Sequence, residues 1–162
     1  MKTPFGTAGW PPQGPSDRFA LVWIDSERAS VARWADGPHV TTVLSDVPPH
    51  RRSTGHVHVD PLRGHAGGRA PDTPDAQRLA HLERFLALVA DAVEGAEPVE
   101  ILGPGTVREH LARLLAERDR RHGRTRPVAT APAMAVTERQ LLALLRERVG
   151  EPPRRRVVGA TR

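Results

Sequence analysis

Phe19-Ala20-Leu21-Val22-Trp23-Ile24, closed by Asp25, puts six apolar residues in a row in a chain that is only 38% apolar. The run is strand length and lacks any polar alternation, so it reads as a strand covered on both faces, the centre of a sheet with helices above and below. The next segment has a different character. From Arg28 to Trp34 the pattern alternates, with Ala29, Val31 and Arg33 on one face and Ser30, Ala32 and Trp34 on the other. Asp36-Gly37-Pro38 supplies a turn into Val40-Thr41-Thr42-Val43-Leu44, so the three strands are expected to form an antiparallel meander.

From Pro48 to Pro74 there is no helical period and little apolar content, which makes this a long loop with room for one short strand at His56 to Val59. A connection of this length inside a compact domain is uncommon and usually functional or disordered. Helical spacing then begins. Thr73 is the expected N-cap, Pro74 the first helical residue, and Leu79, Leu82, Leu86, Val89 and Val93 the buried stripe, with Gly95 as the stop. Val99 to Leu102 reads as a strand leading through Gly103-Pro104-Gly105 into a second helix, for which Thr106 and Glu109 spell a capping box and Val107, Leu111, Leu114 and Leu115 the core face. Arg126 to Ala131 is a further short strand. Thr137 and Gln140 form a second capping box, before a helix with Leu141, Leu144, Leu145 and Val149 turned inward.

A meander succeeded by alternating helices and strands predicts an α/β fold, a mixed sheet with helices on its faces and right-handed crossovers between its later strands. That connectivity is ribonuclease-H-like, an analogy at the level of fold. One domain is expected over residues 17–150, carrying the long basic loop 48–74. It is flanked by a disordered N-terminal tail, 1–16, rich in Pro and Gly, and a basic C-terminal tail, 151–162.

Composition removes several classes of function. With no cysteine among 162 residues there is neither a disulfide framework nor a thiolate metal site. The first sixteen residues hold no apolar stretch of signal-peptide length, and no run approaches the roughly 18 residues that span a bilayer, so a cytoplasmic protein without membrane contact is expected. Lysine plus arginine outnumber aspartate plus glutamate 24 to 19, and Lys2 is the only lysine. Arginine presents a planar fork of donors that matches phosphate, which points to nucleic acid. An arginine-favouring codon usage explains the same count equally well, so the position of the charge has to decide.

Four sets of residues bear on chemistry. Asp25 ends the first strand where a ribonuclease-H-like nuclease places one metal-binding carboxylate, but Glu83 on the first helix lacks a third partner and Gly103-Pro104-Gly105 carries no carboxylate, which argues for a turn residue. His56, His58 and Asp60 alternate and would share one face of a strand, a spacing suited to zinc, yet they do not complete a four-ligand set and no metal is expected. Gly103-Pro104-Gly105-Thr106 has the form of a phosphate-cradling turn at a helix N-terminus but lacks the longer glycine pattern and lysine, so a tight structural turn is the expectation. The loop is the stronger feature. Between His50 and Arg69 it carries Arg51, Arg52, Arg63 and Arg69 against Asp60 alone, with Gly67-Gly68 beside Arg69. Paired glycines let a backbone approach closely while arginine contacts phosphate or stacks on bases. A solvated insertion is the alternative.

The run Val22-Trp23-Ile24-Asp25, the His-rich loop after Val47-Pro48 and Ile101-Leu102-Gly103-Pro104-Gly105-Thr106 together resemble the central domain of archaeal and eukaryotic class-1 peptide chain release factors. They look most like small bacterial single-domain relatives, the host-attachment-like and "translational machinery" proteins. The resemblance covers about residues 19–150. In release factors this loop carries Gly-Gly-Gln and enters the peptidyl-transferase centre, so the resemblance implies a translation-associated protein whose partners are the ribosome, rRNA or tRNA. Gly67 and Gly68 match the glycines, whereas Arg69 stands in place of the glutamine, and a guanidinium offers charge to phosphate in place of a neutral amide. Stop-codon termination is therefore not expected. The expectation is RNA binding in rescue, stress or dormancy through Arg51, Arg52, Arg63, Gly67, Gly68 and Arg69, with no cofactor and no assigned catalytic residue. Weak peptidyl-tRNA hydrolysis by the same loop, and a module for a protein partner, are the rivals, and the oligomeric state is left open.

Overall fold

The computed structural model describes residues 18–34, 37–47 and 74–150. Its elements run β1 (Ala20–Ile24), β2 (Arg28–Trp34), β3 (Pro38–Leu44), α1 (Pro74–Ala92), β4 (Val99–Gly103), α2 (Val107–Arg121), β5 (Val128–Pro132) and α3 (Glu138–Val149). The strands form one open mixed sheet in the order β3-β2-β1-β4-β5, antiparallel across the meander and parallel from β1 to β4 and from β4 to β5.

The apolar run from Ala20 to Ile24 is the middle strand, and all five of its residues are buried. Successive side chains of a strand point to opposite faces. Ala20, Val22 and Ile24 therefore join Ala29, Val31, Val99 and Ile101 beneath α1 and α2, through Phe85, Val89, Leu111 and Leu115. Leu21 and Trp23 join Ala32, Leu102 and Ala131 beneath α3, through Leu141 and Leu145. A strand pressed by helices from both sides favours apolar residues on both faces, and a polar group there needs a partner. The Trp23 indole keeps its one polar atom satisfied by donating Nε1–H to the Met134 carbonyl at 2.9 Å.

α3 begins as its sequence spells. The Thr137 hydroxyl accepts from the Gln140 backbone N–H at 3.2 Å and the Gln140 side chain accepts from the Thr137 N–H at 2.8 Å. Gly150, at φ 75°, closes the helix in the left-handed conformation. The capping box expected for α2 does not form: Thr106 makes no side-chain cap hydrogen bond. Glu109 instead accepts from Arg108 Nη2 at 3.2 Å. The Arg108 guanidinium turns back to donate to the Gly103 and Gly105 carbonyls, so one arginine fastens the turn that the capping box was expected to fasten.

The expected stripe of α1 also needs correction. Leu86, Val89 and Val93 are buried, but Leu79 is 57% exposed and Phe85 and Ala90 take core positions beside them. At about 1.5 Å per residue the 19-residue α1 is about 28 Å long, whereas a five- to seven-residue strand spans roughly 17 to 23 Å, so the first turns of the helix overhang the sheet.

Two carboxylates are buried among the described residues. Glu100 lies in β4 on the α3 side with no solvent exposure. Arg148 of α3 grips it with both edges of the guanidinium, Nε to Oε2 at 2.8 Å and Nη2 to Oε1 at 3.1 Å. Replacing Arg148 by Met strands that carboxylate beneath α3, and a loss of about 2–4 kcal/mol in urea-unfolding free energy is expected. A loss under about 0.5 kcal/mol would mean that α3 does not hold this position in solution.

Candidate nucleic-acid interface

In a sheet of this order the connections into the three helices leave from the carboxyl ends of β3, β4 and β5, which share one rim with the end of β1 because these four strands run the same way. The N-terminal ends of α1, α2 and α3 and both roots of the 48–73 connection, at Val47 and Pro74, belong to this rim. Helix N-termini carry partial positive charge, so the rim is predisposed towards anions. The opposite rim collects the helix C-termini and the arginines that serve them.

The sheet order reverses between β1 and β4, the place where open α/β sheets usually leave a ligand crevice. Among the described residues the two strands pack tightly at this point. Gly103 at the end of β4 lies so close to β1 that a Cβ built on it would overlap the Ile24 carbonyl oxygen, and Arg108 plugs the turn beyond. The phosphate-cradle pattern of Gly103-Pro104-Gly105 is thus spent on strand packing. Asp25, at the same rim, is a turn residue: its Oδ1 accepts the backbone N–H groups of Glu27 and Arg28, both at 2.8 Å. Glu83 is exposed on α1. Among the described residues no group of three His, Asp or Glu side chains gathers to hold a metal ion.

The segment from Arg118 to Arg126 holds five arginines against Asp119 alone, and the fold supplies the other partners. Arg118 pairs with Asp91 at 2.6 Å, Arg121 with Glu117 at 3.1 Å, Arg124 with Glu94 at 2.9 Å, and Arg126 with Asp119 at 2.7 Å; Arg120 also pairs with Glu117. Several of these arginines have a second task. α1 has no basic residue in its last turn, and its terminal carbonyls are served from elsewhere. Arg126 Nη1 donates to Val93 and Ala96, both at 3.1 Å. Arg33 Nη1 donates to Ala92 at 3.3 Å and Glu94 at 3.1 Å. Arg124 also holds the Glu94 carboxyl below its ordinary value, chiefly through the hydrogen bond it donates. That contact stabilises the fold above the ordinary carboxylate range and is lost as pH falls through the lowered value. A cleft of about 230 Å³ beside these groups is lined by Arg18, Glu97, Asp119, Arg124, Thr125 and Arg126. Its cations are matched: Arg18 meets Glu97 at 3.0 Å, and Arg124 and Arg126 share Asp119.

Counted over the described residues, fifteen arginines face fourteen carboxylates. The remaining residues hold Lys2 and eight arginines against five carboxylates. Four of the five net positive charges therefore belong to residues outside the described body. Arg51, Arg52, Arg63, Gly67, Gly68 and Arg69 lie outside the described residues, as do His56, His58, Asp60 and Thr73, the residue expected to cap α1. Sequence reasoning places weight on their charge and misses how thoroughly the rest is matched, since the α1-side carboxylates that neutralise Arg118 and Arg124 lie about thirty positions earlier in the chain. No helix of the described residues is long and apolar enough to cross a membrane. No protein-family model matches this chain, and no curated protein matches it either.

Proposed function

We propose that this protein binds RNA, on the ribosome or as tRNA, and that Arg51, Arg52, Arg63 and Arg69 with Gly67-Gly68 make the principal contact. The observation that carries this reading is the division of charge: in the body fifteen arginines stand against fourteen carboxylates, and the excess belongs to the connection and to the tail with Arg154, Arg155 and Arg156. Both roots of the connection meet the rim where three helix N-termini lie, so the field of the body adds to that of the arginines. The strand order supports a ribonuclease-H-like reading of the fold, and with it the likeness to the release-factor central domain, whose loop leaves the same kind of sheet. Arg69 in the glutamine position favours phosphate binding over hydrolysis.

Binding of fluorescently labelled tRNA, titrated with salt, tests this. Each phosphate contact to single-stranded RNA contributes about 0.7 to the slope of log affinity against log salt. Changing Arg51, Arg52, Arg63 and Arg69 together to Ala is expected to lower that slope by up to about 3 and to weaken binding at least about tenfold, whereas changing the paired Arg120 and Arg121 leaves both nearly unchanged. Wild-type affinity in the quadruple variant would refute the loop as the contact.

A further inference from the structure

Asp46, two residues past the end of β3, and His81 and Arg84, in the second and third turns of α1, meet across the two roots of the 48–73 connection. The His81 Nδ1 atom lies 2.9 Å from Asp46 Oδ2 and 2.8 Å from Arg84 Nη2. These neighbours make opposite demands. A carboxylate only accepts and a guanidinium only donates, while an imidazole nitrogen carries in the ring plane either a proton or a lone pair. Nδ1 therefore serves Asp46 when protonated and Arg84 when not, and it cannot serve both. We propose that Asp46, His81 and Arg84 form a proton-operated clasp, in which protonation of His81 ties the end of β3 to α1 and deprotonation hands the imidazole to Arg84.

The direction follows from the chemistry. The imidazolium always has a proton on Nδ1, so it donates to Asp46 and repels the guanidinium beside it. The neutral ring can hold its proton on Nε2 and accept from Arg84, which leaves Asp46 with only the longer 3.7 Å approach to Arg84. Imidazoles exchange these states between about pH 5 and 8. At the acid end the clasp is limited by Asp46 itself. Its carboxyl is held below the ordinary value of 3.8, first by the hydrogen bond from His81, which outweighs the opposing desolvation, and then by the charges of His81 and Arg84. A carboxyl with a lowered pKa contributes above its unfolded value and stops contributing as pH falls through its folded value. The clasp is thus closed in a window, bounded below by protonation of Asp46 and above by deprotonation of His81.

Among the described residues, His81 and Arg84 are the charged side chains that act on the Asp46 carboxyl. On α1, Arg78 lies one turn before His81, Asp75 lies in the first turn and Glu83 is exposed. At the rim of the sheet, Asp25 is engaged by the Glu27 and Arg28 backbone, and Arg28 lies 5.4 Å over the Trp23 ring. The inference does not depend on RNA binding, and its test needs no RNA.

Amide hydrogen exchange of Ser45 to Val47, corrected for the intrinsic pH dependence of exchange, reads the clasp in the full chain. Protection is expected to peak between about pH 4 and 6 and to fall severalfold by about pH 8. Asp46→Asn and His81→Gln should each flatten that profile. Arg84→Gln removes the competitor for Nδ1 and should extend protection to higher pH, a result that loss of a merely structural contact does not produce. A wild-type profile that is flat across the range, or an Arg84→Gln profile that coincides with wild type or falls earlier, overturns the clasp. Unchanged circular dichroism in the variants shows that the fold survives.

Discussion

Arg126→Met lowers the free energy of unfolding by about 3–5 kcal/mol, the range for removing one partner of a buried pair. The Arg126 and Asp119 side chains are each only 5% exposed. Two parallel hydrogen bonds join them, Nε to Oδ2 at 2.7 Å and Nη2 to Oδ1 at 2.9 Å. Methionine fills much of the same space but returns none of the donors. Asp119 is left with Arg124 at 3.6 Å as its remaining cation among the described residues, and the Val93 and Ala96 carbonyls lose the Arg126 donor. Each of these costs in the same direction, since a partly buried acceptor that loses a donor loses part of what offsets its desolvation, although Val93 keeps the Ala96 N–H at 3.0 Å. Urea unfolding with an unchanged slope measures the difference. The double variant Arg126→Met, Asp119→Leu should recover much of the loss, because replacing a whole buried pair by apolar groups is often neutral. A single variant within about 1 kcal/mol of wild type would show that solvent reaches this pair.

Gly103→Ala is expected to cost more than about 4 kcal/mol or to prevent folding, which places it in the rare tail of single substitutions. Two independent obstacles coincide. Gly103 has φ 154°, a backbone conformation that residues with a Cβ rarely adopt. The added carbon would also overlap the Ile24 carbonyl oxygen and come within 3.0 Å of its carbon. The oxygen belongs to the central strand, so relief requires β1 and β4 to part at the seam that both cores share. Gly105→Ala is the control. Its φ is 63° and nothing lies within 4 Å of the added carbon, so a cost of about 1–2 kcal/mol is expected from the left-handed backbone alone. Equal losses at the two positions, measured by thermal or urea unfolding, would show that the close approach of the strands is not what makes Gly103 necessary.

How much of this was legible in the sequence depended on the range of the interactions. Ala20 to Ile24 announced the central strand because burial on both faces favours an unbroken apolar run, whereas Glu100 in the equally buried β4 is kept by its pairing with Arg148. Thr137 and Gln140 announced the start of α3 because the capping box is closed within four residues. Thr106 and Glu109 have the same local signature and failed, since Arg108 competes for Glu109 and fastens the Gly103 and Gly105 carbonyls itself. Leu79 has the right helical spacing but overhangs the sheet, and no periodicity reports where a helix runs out of a surface to lie on. The charges show the limit most plainly. Arg118 to Arg126 look uncompensated in a linear reading because several of their counter-ions lie on α1 or just beyond its end, and only the fold brings the two together. The candidate contact residues of the 48–73 connection gain their weight indirectly, from the matching of the charges around them.

The manner in which α1 ends bears on how the protein comes apart. Its final carbonyls and those just past it are held by Arg33 from β2 and Arg126 from just before β5, and an earlier one by Arg118 from α2. A helix end normally frays on its own because its last hydrogen bonds are local. This one is sewn to three other parts of the chain, so its last turn opens only when those parts let go. The terminus that would ordinarily be the weakest point of the helix thus becomes part of the cooperative unit, and partial unfolding has to begin elsewhere.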